Sequence, residues 1–331
     1  MTVAAATADG REVEGPWRVA TRRSALARAQ ARTVADALAE ATGRPAELVP
    51  LATTGDEHPD RAIEAFDTKG LFVDGTRQAV MRGDCHLVVH SYKDLPGEPS
   101  PGLTVAAVPT RVDPRDALVT RQGWRLVDVP RDRPVTIGTS SPRRAAQLQH
   151  HRRDVLVQPI RGNVETRLAK VATGELDGVV VAVAGLLRLR PDVDGLTAVP
   201  LEHGEMLHAP AQGALAVECR SDDAATRKAL RRIDDATTRT EVTAERELLI
   251  HLQGGCTTPI GAHAQLRRTT TGADRLVLLG LLSDPSGTRL HRASHETGAD
   301  EPQLLGRAMA ATLLEAGGER VRDTLHTEGR A

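Results

Sequence analysis

Residues 179–187 read VVVAVAGLL, a stretch with no polar side chain. It falls far short of the roughly 20 residues a membrane helix needs. As part of a strand, LDGVVVAVA, it needs apolar cover on both faces, which a sheet flanked by helices supplies. The rest of the chain fits that demand. Strand-like runs at WRVAT (17–21), AELVPLAT (46–53), HLVVHS (86–91), LTVAAVP (103–109), DALVT (116–120), VTIGT (135–139) and VLVQPI alternate with helical patterns. In the helical run that follows Ser24, Leu26, Ala29, Val34, Ala37, Leu38 and Ala41 repeat at helical spacing, and Ser24 is placed to cap it. Such alternation predicts α/β domains with mostly parallel sheets and right-handed crossovers. After GALAVECR (213–220) the pattern changes to helical runs at 221–232 and 237–252, two strand-like segments (IGAHAQLR and RLVLLGLL), and a helical tail near 302–325.

The expected organisation is a flexible leader over 1–16 and a first domain over 17–109 with a return segment at 213–232. A second, similar domain covers 110–212, and a smaller α+β domain covers 236–331. The leader has no apolar core of signal-peptide length, so a cytoplasmic protein is expected.

Composition narrows the partners. Lys plus Arg number 43 and Asp plus Glu 44, so the net charge of −1 gives no general pull toward nucleic acid or anionic membrane. Two Trp, one Tyr and two Phe are too few for a base-stacking platform. The basic residues are 39 Arg and 4 Lys, a bias that GC-rich coding explains in bulk, so position carries the information. Cys85, Cys219 and Cys256 form no disulfide framework and have no zinc-type spacing, and no metal site is expected.

Four arginine-bearing loops each follow a predicted strand, where open α/β sheets bind ligands. They are ATRRSALA with Arg22 and Ser24, GTSSPRR with Ser141, Arg143 and Arg144, PIRGNVETR with Arg161 and Arg167, and AVAGLLRL with Arg188. Helix starts already favour anions. Two cations in the first turn after Ser141 and Pro142 oppose the dipole unless an anion is present. One such loop is an ordinary surface; four at equivalent positions predict a ligand with several carboxylates or phosphates, since Arg offers bidentate donors and keeps its charge. No Walker A pattern or GxSxG elbow is present.

HSYKDLP (90–96) sets Lys93 beside Asp94 on a turn closed by Pro96. The pair suits proton handling or stabilisation of a cation, or equally a surface ion pair on a turn. TKGLF supplies Lys69 and Phe72 on a connecting loop. Cys85 and Cys219 sit in apolar strand patterns and read as core, whereas Cys256 lies in LQGGCTTPIG between a Gly pair and a Pro. With no His partner evident, that thiol suits a covalent tether better than a turnover nucleophile.

In order along residues 17–325, the segments ATRRSALA, TKGLFV, HSYKDLP, DPRDALV, GTSSPRRAAQL, IRGNVETR, AVAGLLRL, AQGALAVECR, VTAERELL and GGCTTPIGA closely resemble the hydroxymethylbilane synthase (porphobilinogen deaminase) family. The resemblance implies two domains like type II periplasmic binding proteins around a cleft, plus a third bearing the cysteine loop. It implies head-to-tail condensation of four porphobilinogen molecules with loss of ammonia, on a dipyrromethane primer held by a cysteine thioether. Cys256 matches that cysteine and Asp94 the catalytic aspartate. Arg22, Ser24, Ser141, Arg143, Arg144, Arg161, Arg167 and Arg188 match residues that bind the pyrrole carboxylates. Lys93 and Gln212 match further cofactor or substrate contacts, with Lys93, Ser141, Arg143, Arg144 and Gln212 on the cofactor side. Lys69 and Phe72 match the active-site loop. The family is usually monomeric, so a monomer is expected. Ala65, the DGT at 74–76 and His208 depart from the family's usual lysine, charged helix start and proline. The competing expectation is a non-catalytic two-domain binding protein for a small polycarboxylate, which explains the arginine loops but not Cys256.

Overall fold

A computed structural model describes residues 15–51, 74–191, 194–253, 258–268, 272 and 274–318. Lys69, Phe72 and Cys256, together with Ala65, lie outside the described residues. The chain divides into two compact units, 1–111 with 214–239 and 112–213 with 240–331.

The first unit is built on a five-stranded sheet. Its order is β2 (Ala46–Leu51), β1 (Trp17–Arg22), β3 (Leu87–Ser91), β10 (Leu215–Arg220) and β4 (Leu103–Ala107). β1 runs parallel to β2 and β3, and β10 runs against both β3 and β4. Helix α1 (Ala25–Thr42) presents Ala31, Val34, Ala35 and Leu38 at helical spacing to Val19, Leu87 and Val217 on one face of the sheet. The Ser24 hydroxyl accepts from Ala27 N at 3.3 Å, as expected of a cap, and Gly43 ends the helix at φ 70°, where a side chain would be strained. On the other face α2 (Asp74–Met81) lays Ala79 and Val80 against Ala20 and Val88.

Glu218 is a buried charge within this unit. Glu218 on β10 accepts from Arg77 Nε and Nη2 at 2.7 and 2.8 Å, and His90 Nε2 lies 3.1 Å away. Burial pushes the Glu218 carboxyl up, but the adjacent His90 ring and the hydrogen bonds from Arg77 outweigh it and bring the group down to about 2.

The second unit repeats the plan with β7 (Val155–Gln158), β6 (Val135–Gly138), β8 (Gly178–Ala182), β5 (Asp116–Thr120) and β9 (Thr197–Pro200), in that order. β6 is parallel to β7 and β8, and β5 opposes β8 and β9. Each sheet is thus mixed, with one reversed strand among five. Helices α3 (Pro142–His151), α4 (Val164–Ala172) and α5 (Val183–Leu189) follow β6, β7 and β8 in turn. Leu148 of α3 packs with Ile137, Val155 and Val180 on one face; Leu168 and Val171 of α4 pack with Val179 and Val181 on the other.

The same unit holds an antiparallel sheet of β11 (Ile260–Arg268), β12 (Asp274–Ser283) and β13 (Leu290–Gly298). Its Ala262, Ala264, Leu276 and Leu278 pack on Leu248 of α6 (Ala236–His251) and on Leu305 and Met309 of α7 (Pro302–Leu313).

One expectation is corrected. The strand expected over LDGVVVAVA (176–184) is shorter: β8 spans Gly178–Ala182 and the chain turns helical from Val183, a switch that an apolar run has no periodicity to mark. β13 and β9 were not foreseen. β13, LHRASHETG, has few apolar residues, and TAVP of β9 is short and largely exposed.

Glu218 gives a pH prediction. A carboxyl whose folded pKa is depressed adds stability above its unfolded pKa, about 4.3 for Glu, and loses it as pH falls toward the folded value near 2. Chemical denaturation of Glu218→Gln is expected to show lower stability at pH 7 than the parent chain. Its stability is also expected to fall less steeply between pH 5 and pH 2.

Candidate active site

In the first unit, Arg22 ends β1 and Ser24 starts α1, while Lys93 and Asp94 occupy a single 3-10 turn, Tyr92–Asp94, directly after β3. Because β1 and β3 are parallel neighbours, these two segments emerge from the same edge of the sheet. Gln30 of α1 donates from Nε2 to Ser91 Oγ at 2.7 Å and fastens the helix to the end of β3. Leu95 N donates to Tyr92 O at 3.2 Å and Tyr92 N to Ala214 O at 3.1 Å, so the turn is held from both sides. Lys93 is half-buried and the Asp94 side chain is exposed at its tip.

The second unit gathers the other predicted residues in the same way, at the carboxyl ends of three adjacent parallel strands. Ser141, Arg143 and Arg144 follow β6, Arg161 and Arg167 follow β7, and Arg188 follows β8 within α5. Ser140 ties two of these loops together: its hydroxyl donates to Ile160 O at 2.6 Å and accepts from Ile160 N at 2.8 Å. Ser141 occupies the N-cap position, but its side chain makes no capping hydrogen bond, contrary to expectation; Pro142 does take the first helical position.

Arg143 and Arg144 have a carboxylate partner within the chain. Asp116, the first residue of β5, is fully buried. Its Oδ2 accepts from Arg143 Nη1 at 2.8 Å, and its Oδ1 accepts from Arg144 Nε and Nη2 at 3.1 and 2.7 Å and from Gln212 Nε2 at 2.8 Å. Burial pushes the Asp116 carboxyl up, yet the two guanidiniums and the amide hold it well below the usual carboxylate range. Both arginines are themselves buried and reach backbone carbonyls, Arg143 that of Leu207 at 2.6 Å and Arg144 that of Val180 at 3.0 Å. The first partner of these two cations is thus a carboxylate of the chain itself.

Arg167 and Arg188 differ. Arg167 Nε donates to Gly162 O at 3.0 Å and Arg188 Nη2 to Gly213 O at 2.7 Å. Burial lowers the pKa of both, Arg188 to about 10, and among the described residues no carboxylate offsets it. They are half-buried cations suited to an external anion.

Gln212 donates to Pro114 O at 2.8 Å as well as to Asp116. Next to it Gly213 has φ +86°, and a Cβ there would stand 2.6 Å from Val112 O. Only glycine allows this approach of residues 112–114 and 212–213. Cys85 and Cys219 are buried, as expected; burial raises both thiols, Cys219 to about 12. Sequence reasoning missed Asp116 and Ser140. An acid opening the apolar run ALV was the available signal for Asp116; nothing distinguished Ser140 from its neighbour.

Residues 17–228 match the family described as porphobilinogen deaminase, dipyromethane cofactor binding domain, and residues 239–315 match the porphobilinogen deaminase C-terminal domain. The chain belongs to the porphobilinogen deaminase family. A porphobilinogen deaminase of Nocardia farcinica is 48% identical over 309 residues, covering 91% of this chain and 86% of the relative. That of Acidothermus cellulolyticus is 45% identical over 308 residues, covering 92% and 90%. Porphobilinogen deaminase 1 of Streptomyces coelicolor is 43% identical over 312 residues, covering 92% and 96%. Among solved structures, the substrate binding protein of an amino acid ABC transporter gives a TM-score of 0.35 at 12% identity, over 71% of this chain and 97% of that one. The family assignment rests on the sequence relatives.

The Asp116 cluster is open to a direct test. Asp116→Asn leaves two buried guanidiniums without their counter-charge, a change that costs about 3–5 kcal/mol. Denaturant titration is expected to show a loss of that size, whereas Arg161→Gln, on an exposed loop residue, is expected to stay within about 0.5 kcal/mol of the parent.

Proposed function

We propose that this chain is a hydroxymethylbilane synthase, a transferase that condenses porphobilinogen head to tail and releases ammonia at each step. Membership of the family over both its domains carries this reading. A two-domain binding protein is not favoured, because the first match is to the cofactor-binding domain and the second covers the C-terminal region that a simple binding pair lacks.

Each condensation breaks the C–N bond of the substrate's aminomethyl group and forms a C–C bond to the free α-carbon of the preceding pyrrole. The proton lost from that carbon balances the one carried away with ammonia. The developing charge is cationic, so a fixed carboxylate nearby lowers the barrier. Asp94 takes that role. It stands at the tip of a short, doubly anchored turn at the carboxyl edge of the sheet. Lys93, Arg22 and Ser24 at the same edge bind and orient carboxylates of the pyrroles. Arg167 and Arg188, half-buried without an internal carboxylate among the described residues, take others, with Ser141 and Arg161 on the neighbouring loops. Arg143, Arg144 and Gln212 act through Asp116, setting the start of α3 and the 212–213 segment from which the cofactor side of the site is built. Lys69 and Phe72 belong to the loop that the resemblance assigns to the active site.

The dipyrromethane cofactor fits the side chains present. Its carboxylates match the uncompensated arginines. Of the three thiols, Cys85 and Cys219 are buried and held protonated, which leaves Cys256 for the thioether. When bound, this primer supplies the pyrrole carbon that receives the first substrate. A tether makes one partner of every condensation intramolecular, so orientation rather than affinity limits the step. We further propose that the protein works as a cytoplasmic monomer; among the described residues, no helix is long and apolar enough to cross a membrane.

Two measurements check this. The intact mass of protein produced where porphobilinogen is available is expected to exceed the sequence mass by one dipyrromethane, with the excess absent in Cys256→Ser; an unmodified folded chain contradicts the assignment. Asp94→Ala is expected to keep the parent's denaturation midpoint while ammonia release from porphobilinogen falls at least about 100-fold, within the range a positioned acid–base group contributes. Near-normal release removes Asp94 from the role.

A further inference from the structure

Away from the arginine loops, the second unit assembles three histidines. His203 and His208 come from the loop after β9, and His263 from β11. Each offers one ring nitrogen, and these nitrogens lie within 4.8 Å of one another. His208 is fully buried, and the other two are half-buried, which leaves a path from solvent. The rings of His203 and His263 stack at 3.7 Å, and His208 meets His263 edge-on at 5.2 Å.

From this arrangement we propose that His203, His208 and His263 form a binding site for a borderline divalent transition-metal ion such as Zn2+, with three imidazoles as protein ligands and a fourth position open to water. Three features support it. His208 Nδ1 lies 2.9 Å from Ala209 O, so it carries the proton and its Nε2 lone pair faces inward. A ring N–H anchored on a backbone carbonyl is the usual outer-sphere arrangement of a metal-ligating histidine. Secondly, His208 Nε2 and His263 Nδ1 are 3.1 Å apart. Two nitrogens each about 2.0–2.1 Å from a tetrahedral ion lie about 3.3 Å apart, so this pair already has close to the spacing of two ligands. Thirdly, His203 Nδ1 is buried without a hydrogen-bond partner, a polar atom that an ion would satisfy. Binding requires His203 to tilt out of its stack toward the other two, a movement that a loop side chain can make.

The frame around the rings is firm. His208 O accepts from Ala262 N at 3.0 Å, and Leu207 N donates to Gln147 Oε1 at 2.8 Å. Arg292 of β13 donates to the carbonyls of His203 and Gly204 at 2.8 and 2.7 Å. Glu202, Glu245 and Asp113 lie around His203 together with the cations Arg115 and Arg292. Imidazole donors suit Zn2+, Co2+, Ni2+ or Cu2+ rather than Mg2+ or Ca2+. An ion bound here joins the loop after β9 to β11, the strand that begins at Ile260 shortly after Cys256 in sequence. Cysteine spacing gave no hint of this site, because its ligands are drawn from two separated segments with no motif spacing.

The test uses the untagged full chain freed of metal by chelator and dialysis. Titration with Co2+, followed by visible absorption, is expected to saturate at one ion per chain with the intense bands of a four-coordinate site. Zn2+ is expected to displace it and to raise the thermal midpoint. His203→Gln and His263→Gln, both at half-buried positions, are each expected to weaken Co2+ binding at least about 100-fold while keeping the parent's circular dichroism. Cys256→Ser is expected to keep the bands. The proposal is overturned by the absence of saturable binding, by six-coordinate spectra that neither histidine substitution alters, or by bands that vanish with Cys256→Ser and survive loss of the histidines.

Discussion

One buried carboxylate, Asp116, organises the predicted ligand-facing edge of the second unit. It begins the reversed strand β5, receives three hydrogen bonds from Arg143 and Arg144, and receives a fourth from Gln212 at the return of the chain. A lone carboxylate in that position would be expensive to bury, and so would the two guanidiniums. Together they are mutually satisfied, and the geometry that satisfies them fixes the first turn of α3 and the segment 212–213. Gly213 completes the arrangement, because its lack of a side chain allows contact with residues 112–114. The loops after β6, β7 and β8 are then held at one edge of the sheet, with Ser140 linking the first two.

This organisation separates the arginines into two kinds. Those paired with internal carboxylates, Arg143 and Arg144 in the second unit and Arg77 in the first, build the frame. Arg167 and Arg188 keep a cationic surface that, among the described residues, no carboxylate neutralises. A chain of almost zero net charge can therefore recognise a polycarboxylate, since recognition depends on which cations the fold leaves uncompensated rather than on their total.

The sequence was legible wherever a local pattern decided the outcome. Apolar runs located β1, β3, β5, β6 and β10, helical spacing located α1 and α3, and Ser24 and Pro142 marked helix starts. It failed where tertiary contacts decided. The run at 179–187 held no sign of its break at Val183, and β13 pairs along β12 through a sequence with little alternation. The placement of site residues after parallel strands followed from order along the chain. The role of Asp116 did not, because its partners lie 27, 28 and 96 residues away and no spacing rule connects them. The three histidines were missed for the same reason: His208 and His263 are 55 residues apart.

The central claim is stepwise growth on a tether held by this chain. It is tested most directly by intact-mass spectrometry of the holoenzyme after mixing with limiting porphobilinogen. The account predicts a ladder of species, each heavier than the last by one substrate less one ammonia, ending before a fifth addition and returning to the starting mass as substrate is exhausted. A single unchanged mass while porphobilinogen is consumed would contradict it.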